Sequence, residues 1–223
     1  MRVTPPSWHP ASASPKWVRR RLLSPLKFVR FRRALRSLDC VVLDVETGGL
    51  DPKKNALLAI GAVQVSKGSI GRTMERWIRP AIGTVVEDEA VRVNGYVPRA
   101  DHALESEALN ELSALIDSHP SNRRPIEVMG HNVWFDLRFI DEAAGRQRDT
   151  VPIPSFSHRR YDSCIGAGHA QLLGHVEGRQ LDGMCRDLGL FEVLERRTFA
   201  HRSPLNDCMA SLAVFIELLW RAA

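Results

Sequence analysis

The segment Cys40-Val-Val-Leu-Asp-Val-Glu-Thr47 constrains this chain more than any other. It opens as an unbroken apolar run, the pattern of a strand buried on both faces. Asp44 and Glu46 then interrupt that pattern. Side chains alternate along a strand, so residues two apart share a face, and both acids point to one side with Val45 on the other. Two adjacent carboxylates near a core repel each other and lose hydration. Such a pair persists only with a cation or a proton between them. No local backbone role calls for acids at these two positions.

The elements that follow predict a sheet flanked by helices. Leu57–Val65 reads as a second strand and Gly71–Ile78 as a third, with the Lys67-Gly68 turn between them. Glu105–Ser118 is helical, Ile126–Gly130 is a short strand, and a helix runs from about Val133 to Ala144. Leu181–Leu188 is a short helix closed by Gly189, and Leu205–Trp220 is the last helix. A strand meander followed by alternation of strand and helix gives an α/β fold with a mixed sheet.

Two further acids stand where apolar residues belong. Asp136, in His131-Asn-Val-Trp-Phe-Asp, has Phe139, Ile140 and Ala143 at +3, +4 and +7, so it lies on the inward face near the helix start. Asn132 is positioned to cap that helix. Asp207 has Ala210, Ser211 and Val214 at the same offsets, with His201 just upstream. Each Asp alone has a local explanation, since an acid in the first turn complements the helix dipole. Four inward acids and a histidine together are harder to assign to chance.

Charge divides the chain at its first strand. Residues 1–40 hold ten Lys and Arg against one acid, whereas the remainder holds twenty-one basic and twenty-five acidic residues. The chain therefore divides into a basic arm, residues 1–38, and a globular domain, residues 39–223. Proline and serine over residues 1–16 predict disorder. From Pro25 a helix is expected, with Phe28, Phe31, Leu35 and Leu38 as a stripe that packs on the domain and Lys27, Arg30, Arg33 and Arg36 beside it. A basic arm suits polyanions such as nucleic acid; a solvated tail without a partner is the competing reading. The Arg- and Ser-rich, acid-poor start is also similar to an organelle transit peptide. Cys40, Cys164, Cys185 and Cys208 form no C-x-x-C and read as buried thiols of a reducing compartment, the cytoplasm. No apolar run approaches the roughly 18 residues of a membrane span. A P-loop lysine motif and a Gly-x-Ser-x-Gly elbow are missing, and His158-Arg-Arg-Tyr-Asp lacks the companions of a kinase loop.

Asp44-Val-Glu-Thr-Gly-Gly-Leu50 resembles the first motif of the DEDDh 3′–5′ exonucleases, a family that includes the proofreading epsilon subunit of bacterial DNA polymerase III, ribonuclease T and oligoribonuclease. His131-Asn-Val-Trp-Phe-Asp136 resembles the second motif, and His201 with Asp207 the third. The match covers roughly residues 40–221. One departure stands out: His201 to Asp207 is six steps where the family usually has five, and the fifth position is Asn206. The Leu205-Asn-Asp pattern survives, so the extra residue falls in Arg202-Ser-Pro, where Pro204 suits a first helical position.

The resemblance implies a ribonuclease H-like fold, a mixed five-stranded sheet whose first three strands are antiparallel. It implies two divalent ions, Mg²⁺ or Mn²⁺, with Asp44 bridging them, Glu46 and Asp207 on the nucleophile side, Asp136 on the other, and His201 as general base. It assigns Thr47, Gly48, Gly49, Leu50, His131, Asn132 and Phe135 to substrate binding, although the glycines equally suit a plain turn. The expected partner is the 3′ end of single-stranded DNA or RNA, between which the motifs do not distinguish. The short chain after the last helix lacks a polymerase-binding tail, which favours a stand-alone enzyme. The altered third motif supports an alternative, a catalytically impaired nucleic-acid-binding protein of the same fold. A ribonuclease acting on short RNAs is the nearest rival among enzymes.

Overall fold

The computed structural model describes residues 25–121, 126–147, 156–160, 180–199 and 203–223, with backbone alone for 156–160 and 197–199. The N-terminal segment 1–24, the kinase-like echo's surroundings, Cys164 and His201 lie outside the described residues.

Strand β1 (Cys40–Thr47) is the centre of a five-stranded sheet ordered β3-β2-β1-β4-β5. On one side β2 (Leu57–Ser66) and β3 (Ser69–Trp77) continue it antiparallel. On the other, β4 (Ile126–Met129) runs parallel to β1 and β5 (Phe156–Arg160) parallel to β4. This is the mixed sheet that the sequence pattern implies. Lys67 (φ 50°) and Gly68 (φ 72°) make the β2–β3 connection, both with the positive φ that a tight primed hairpin turn requires.

The helices are α1 (Pro25–Arg36), α2 (Asp88–Asn94), α3 (Glu105–Asp117), α4 (Val133–Arg146), α5 (Leu181–Leu188), α6 (Phe191–Phe199) and α7 (Pro204–Ala222). Alternation along β1 sorts them into two layers. Val41, Leu43 and Val45 join Leu109 and Leu112 of α3 and Phe139 and Ile140 of α4 in one core cluster. Cys40 and Val42 join Cys185 of α5 and Cys208, Val214 and Phe215 of α7 in the other. By the same alternation Asp44 and Glu46 belong to the face that α7 covers. Leu212, Val214, Phe215 and Leu218 of α7 are all buried. At roughly 1.5–3 kcal/mol each, that burial seats the helix on the sheet. Between α3 and α4, buried Glu105 pairs with Arg146 at 2.7 Å. No described helix is long and apolar enough to cross a membrane.

Three expectations need correction. Asn132 does not cap α4: its backbone is left-handed (φ 61°, ψ 38°) and its side chain makes no cap bond. A capping side chain requires extended backbone. The chain instead reverses from β4 into α4 within three residues, and asparagine tolerates the left-handed step that this needs. In α1, Leu38 just beyond the helix is buried and Phe31 meets Trp220 edge-on at 5.1 Å, but Phe28 is 43% exposed beneath the Arg32 guanidinium. The stripe therefore packs through its C-terminal part only. Helices α2 and α6 were not anticipated; both are short, and the seven residues of α2 carry too few apolar positions for a stripe.

Candidate metal centre

Two elements must meet to gather three of the four predicted acids, and one glycine lets them. Gly61 of β2 pairs directly with Asp44 of β1. A Cβ on Gly61 would lie 2.4 Å from the carbonyl carbon of Pro204 and 2.6 Å from the nitrogen of Leu205. Without that Cβ, the first turn of α7 rests directly on the sheet beside Asp44. Ser203 caps this turn, its hydroxyl accepting from the Asn206 N–H at 3.3 Å, and Pro204 occupies the first helical position. Asp207 thus emerges over β1. The carboxylates of Asp44, Glu46 and Asp207, all half-buried, offer oxygens within 4.8 Å of one another.

Asp136 arrives from the other layer. It is 3% exposed, and its Oδ1 accepts from the Val45 N–H at 2.9 Å, so α4 is pinned to β1 between Asp44 and Glu46. It is not among the three acids within mutual ligand distance, yet it shares their field. The thiol of Cys208 is held well above the ordinary cysteine range, first by burial, then by the charges of Asp44, Asp136, Asp207 and Glu75. Charges from β1, β3, α4 and α7 thus reach this one buried thiol.

The segment after Glu46 is a turn fastened by hydrogen bonds. The Thr47 hydroxyl donates to the Gly49 carbonyl at 2.7 Å, and Asn94 donates to the Thr47 carbonyl at 3.0 Å. The Gly48 N–H donates to Ala56 O at 2.8 Å while its carbonyl accepts from the Glu87 N–H at 2.7 Å. Fully buried Asn55 fastens the inside of the turn: its amide donates to Gly48 O at 3.3 Å and Glu87 at 3.0 Å, and its Oδ1 accepts from Asp51 N–H at 2.9 Å. Asn55 first, then Lys54, holds the Glu87 carboxyl below the usual range. The backbone N–H and carbonyl of Gly48 are thus both bonded within the protein. What the turn presents outward is Leu50, 83% exposed.

His131 is half-buried and Asn132 exposed at the mouth of α4, while Phe135 packs on Phe139 with ring centroids 4.9 Å apart. Sequence reasoning missed Asn55, Gly61, Glu75 and Ser203. Two of these carried a signal. A glycine inside an apolar strand marks a close backbone approach, and Ser-Pro before an amphipathic run marks a cap and a first helical residue.

A family model, RNase_T, described as "Exonuclease", matches residues 41–215. Ribonuclease T of Vibrio parahaemolyticus serotype O3:K6 is 32% identical over 197 residues, covering 82% of this chain and 86% of that protein. Ribonuclease T of Vibrio campbellii is 32% identical over 141 residues, covering 58% of this chain and 65% of that protein. Among solved structures, the nuclease domain of 3′hExo, a DEDDh family member bound to rAMP, superposes with a TM-score of 0.60 at 17% identity, covering 78% of this chain and 89% of that one. Exonuclease I of E. coli in complex with a 5cy-dT13 oligonucleotide gives 0.58 at 19% identity, covering 79% of this chain and 40% of that one. This chain thus spans just under two thirds of the V. campbellii relative and two fifths of exonuclease I. At these identities the structural matches establish the fold, the ribonuclease H-like fold of exonucleases.

Proposed function

The chain belongs to the exonuclease family whose model spans residues 41–215, and we propose that it is a metal-dependent 3′–5′ exonuclease releasing nucleoside 5′-monophosphates from the 3′ end of single-stranded nucleic acid. One observation carries the reading: oxygens of Asp44, Glu46 and Asp207 within 4.8 Å of one another, drawn from a strand and a helix remote in sequence. The donor set fits the proposed ions. It is all carboxylate oxygen, the ligand type of Mg²⁺ and Mn²⁺, with the nearby Cys208 sulfur kept neutral and turned to the carbonyls of Gly61 and Val42. Asp44, Glu46 and Asp207 would hold one ion and Asp136, with Asp44, a second. When bound, such ions activate water and stabilise the leaving oxygen of a phosphodiester.

The remaining work falls to the chain's own side chains. His201 takes the proton of the attacking water, a task suited to an imidazole near neutral pH. The water oxygen bonds to phosphorus, the bond from phosphorus to the 3′ oxygen of the penultimate nucleotide breaks, and that oxygen leaves with a proton. Leu50, held out by the fastened turn, packs against the terminal base, with Phe135, His131 and Asn132 around the terminal nucleotide. The oligonucleotide and rAMP bound by the two structural relatives support a single-stranded substrate.

The test is digestion of 5′-labelled single-stranded DNA and RNA with Mn²⁺ and then with EDTA. A one-nucleotide ladder that EDTA abolishes and Mg²⁺ or Mn²⁺ restores is expected. Asp44→Ala should remove nearly all turnover while circular dichroism stays native, because losing one member of a repelling cluster does not harm the apo fold. Undiminished activity in EDTA would overturn the reading. The six-step spacing of His201 and Asp207 favours one other outcome, a strand-binding protein that releases nothing.

A further inference from the structure

We propose that Glu75, a carboxylate outside all three motifs, is a positioning residue that holds the start of α7 and thereby sets Asp207 over Asp44. The inference rests on the metal-centre reading above and adds to it a support built from three neighbouring strands.

The register of the sheet is the starting point. Asp44 pairs with Gly61, and Gly61 pairs with Glu75, so the three form one row across β1, β2 and β3. Directly opposed residues of antiparallel strands share a face. The row therefore reads acid, gap, acid, with the gap filled by the backbone of Pro204 and Leu205. The first turn of α7 is seated between two carboxylates. Asp44 on one side belongs to the metal centre. Glu75 on the other side binds the helix cap.

That bond has a definite direction. The Ser203 hydroxyl donates to Glu75 Oε1 at 2.6 Å and accepts from the Asn206 N–H at 3.3 Å. Its single proton is committed to the carboxylate, which leaves a lone pair aimed at the helix. A capping hydroxyl ordinarily selects its rotamer alone; here β3 selects it. A hydroxyl-to-carboxylate bond of this length is of the strong, charge-assisted kind. Asp207 N–H in turn donates to Ser203 O at 3.1 Å. The chain of bonds thus runs from β3 through Ser203 to the ligand residue itself, and Cys208 completes the seat by donating to Gly61 O at 3.2 Å.

The experiment measures Mn²⁺ binding directly, by calorimetry on the full chain, alongside urea unfolding without metal. Glu75→Ala should weaken Mn²⁺ binding about 10–100-fold, the usual cost of removing a partner that orients a ligand. Glu75→Gln keeps an acceptor oxygen for Ser203 and should bind within a few-fold of wild type. Ser203→Ala should match Glu75→Ala, and the double variant should be no worse than either. Equal losses in Glu75→Gln and Glu75→Ala would overturn the positioning role in favour of simple charge. Lower stability with unchanged Mn²⁺ affinity would overturn it in favour of a purely structural bond. A wild-type chain that binds no Mn²⁺ would instead refute the metal centre, which separates the two failures.

Discussion

Gly61→Ala is the sharpest test of how the site is assembled. The new Cβ would stand 2.4 Å from the Pro204 carbonyl carbon, about 1 Å short of an ordinary contact of 3.4 Å, and both neighbours are backbone atoms that cannot rotate away. The first turn of α7 must lift by about that amount. Overpacking of this kind costs about 1–3 kcal/mol, which a domain with two core layers survives. Catalysis is less forgiving, since a misplacement of about 1 Å costs on the order of 100-fold in rate. Nuclease rate and the Mn²⁺ concentration for half-maximal rate would be measured beside urea unfolding. The expected result is a loss of about 100-fold in rate, a raised Mn²⁺ requirement and a modest drop in stability. Gly145→Ala is the control: it sits inside α4 with nothing within 4 Å of its would-be Cβ. It should raise stability by about 0.5–1 kcal/mol and leave the rate alone. A Gly61→Ala protein with the wild-type rate would refute the claim that α7 reaches Asp44 only through the missing side chain.

Deleting residues 1–24 removes Arg2, Lys16, Arg19, Arg20 and Arg21; binding to long strands should weaken and its salt dependence flatten, whereas cleavage of a dinucleotide should persist, and an unchanged salt slope would point the arm to another role. Burial first, then Glu127 and Asp39, pushes the Cys40 thiol above the usual range. The folded thiol keeps its proton where the unfolded one, near pKa 8.5, loses it, so stability should fall as pH rises above about 8.5 and be unaffected below. Urea midpoints from pH 7 to 10 should therefore decline more steeply in wild type than in Cys40→Ala; parallel declines would contradict this. His201→Ala should lower the maximal rate by roughly 10²–10⁴-fold and remove the rise of rate through the imidazole pKa. Asp207→Asn should abolish activity and Asn206→Asp should add little, because Asp207 already stands with Asp44 and Glu46; activity created by Asn206→Asp in an inert protein would favour the binding-protein reading.

The sheet was legible because its strands obey simple rules. Cys40–Leu43 is apolar without interruption, and Lys67-Gly68 supplies a turn of the required hand. The acids were legible for the opposite reason: Asp44, Glu46, Asp136 and Asp207 break the periodicity of elements that are otherwise buried. Asn132 misled because its residue type suits both a cap and a left-handed turn, and only the path from β4 to α4 decides between them. Phe28 misled because helical periodicity states which residues share a face but not how far the neighbouring surface extends.

The supports of the site were hidden for a deeper reason. Asn55, Gly61, Glu75 and Ser203 act through contacts with segments remote in sequence, 32 residues away for Asn55 with Glu87 and 128 for Ser203 with Glu75, and the local signals of Gly61 and Ser203 say nothing of which partner they meet. Glu75 in particular lies on an edge strand where an acid is ordinary. Its relation to Asp44 exists only through the register of three strands, and its relation to Asp207 only through a hydroxyl on another element. Local sequence thus names the groups able to bind a cation, while their relative placement is set by residues chosen for what they leave empty or hold still. A substitution at Gly61 or Ser203 should consequently impair the centre while every motif residue remains in place.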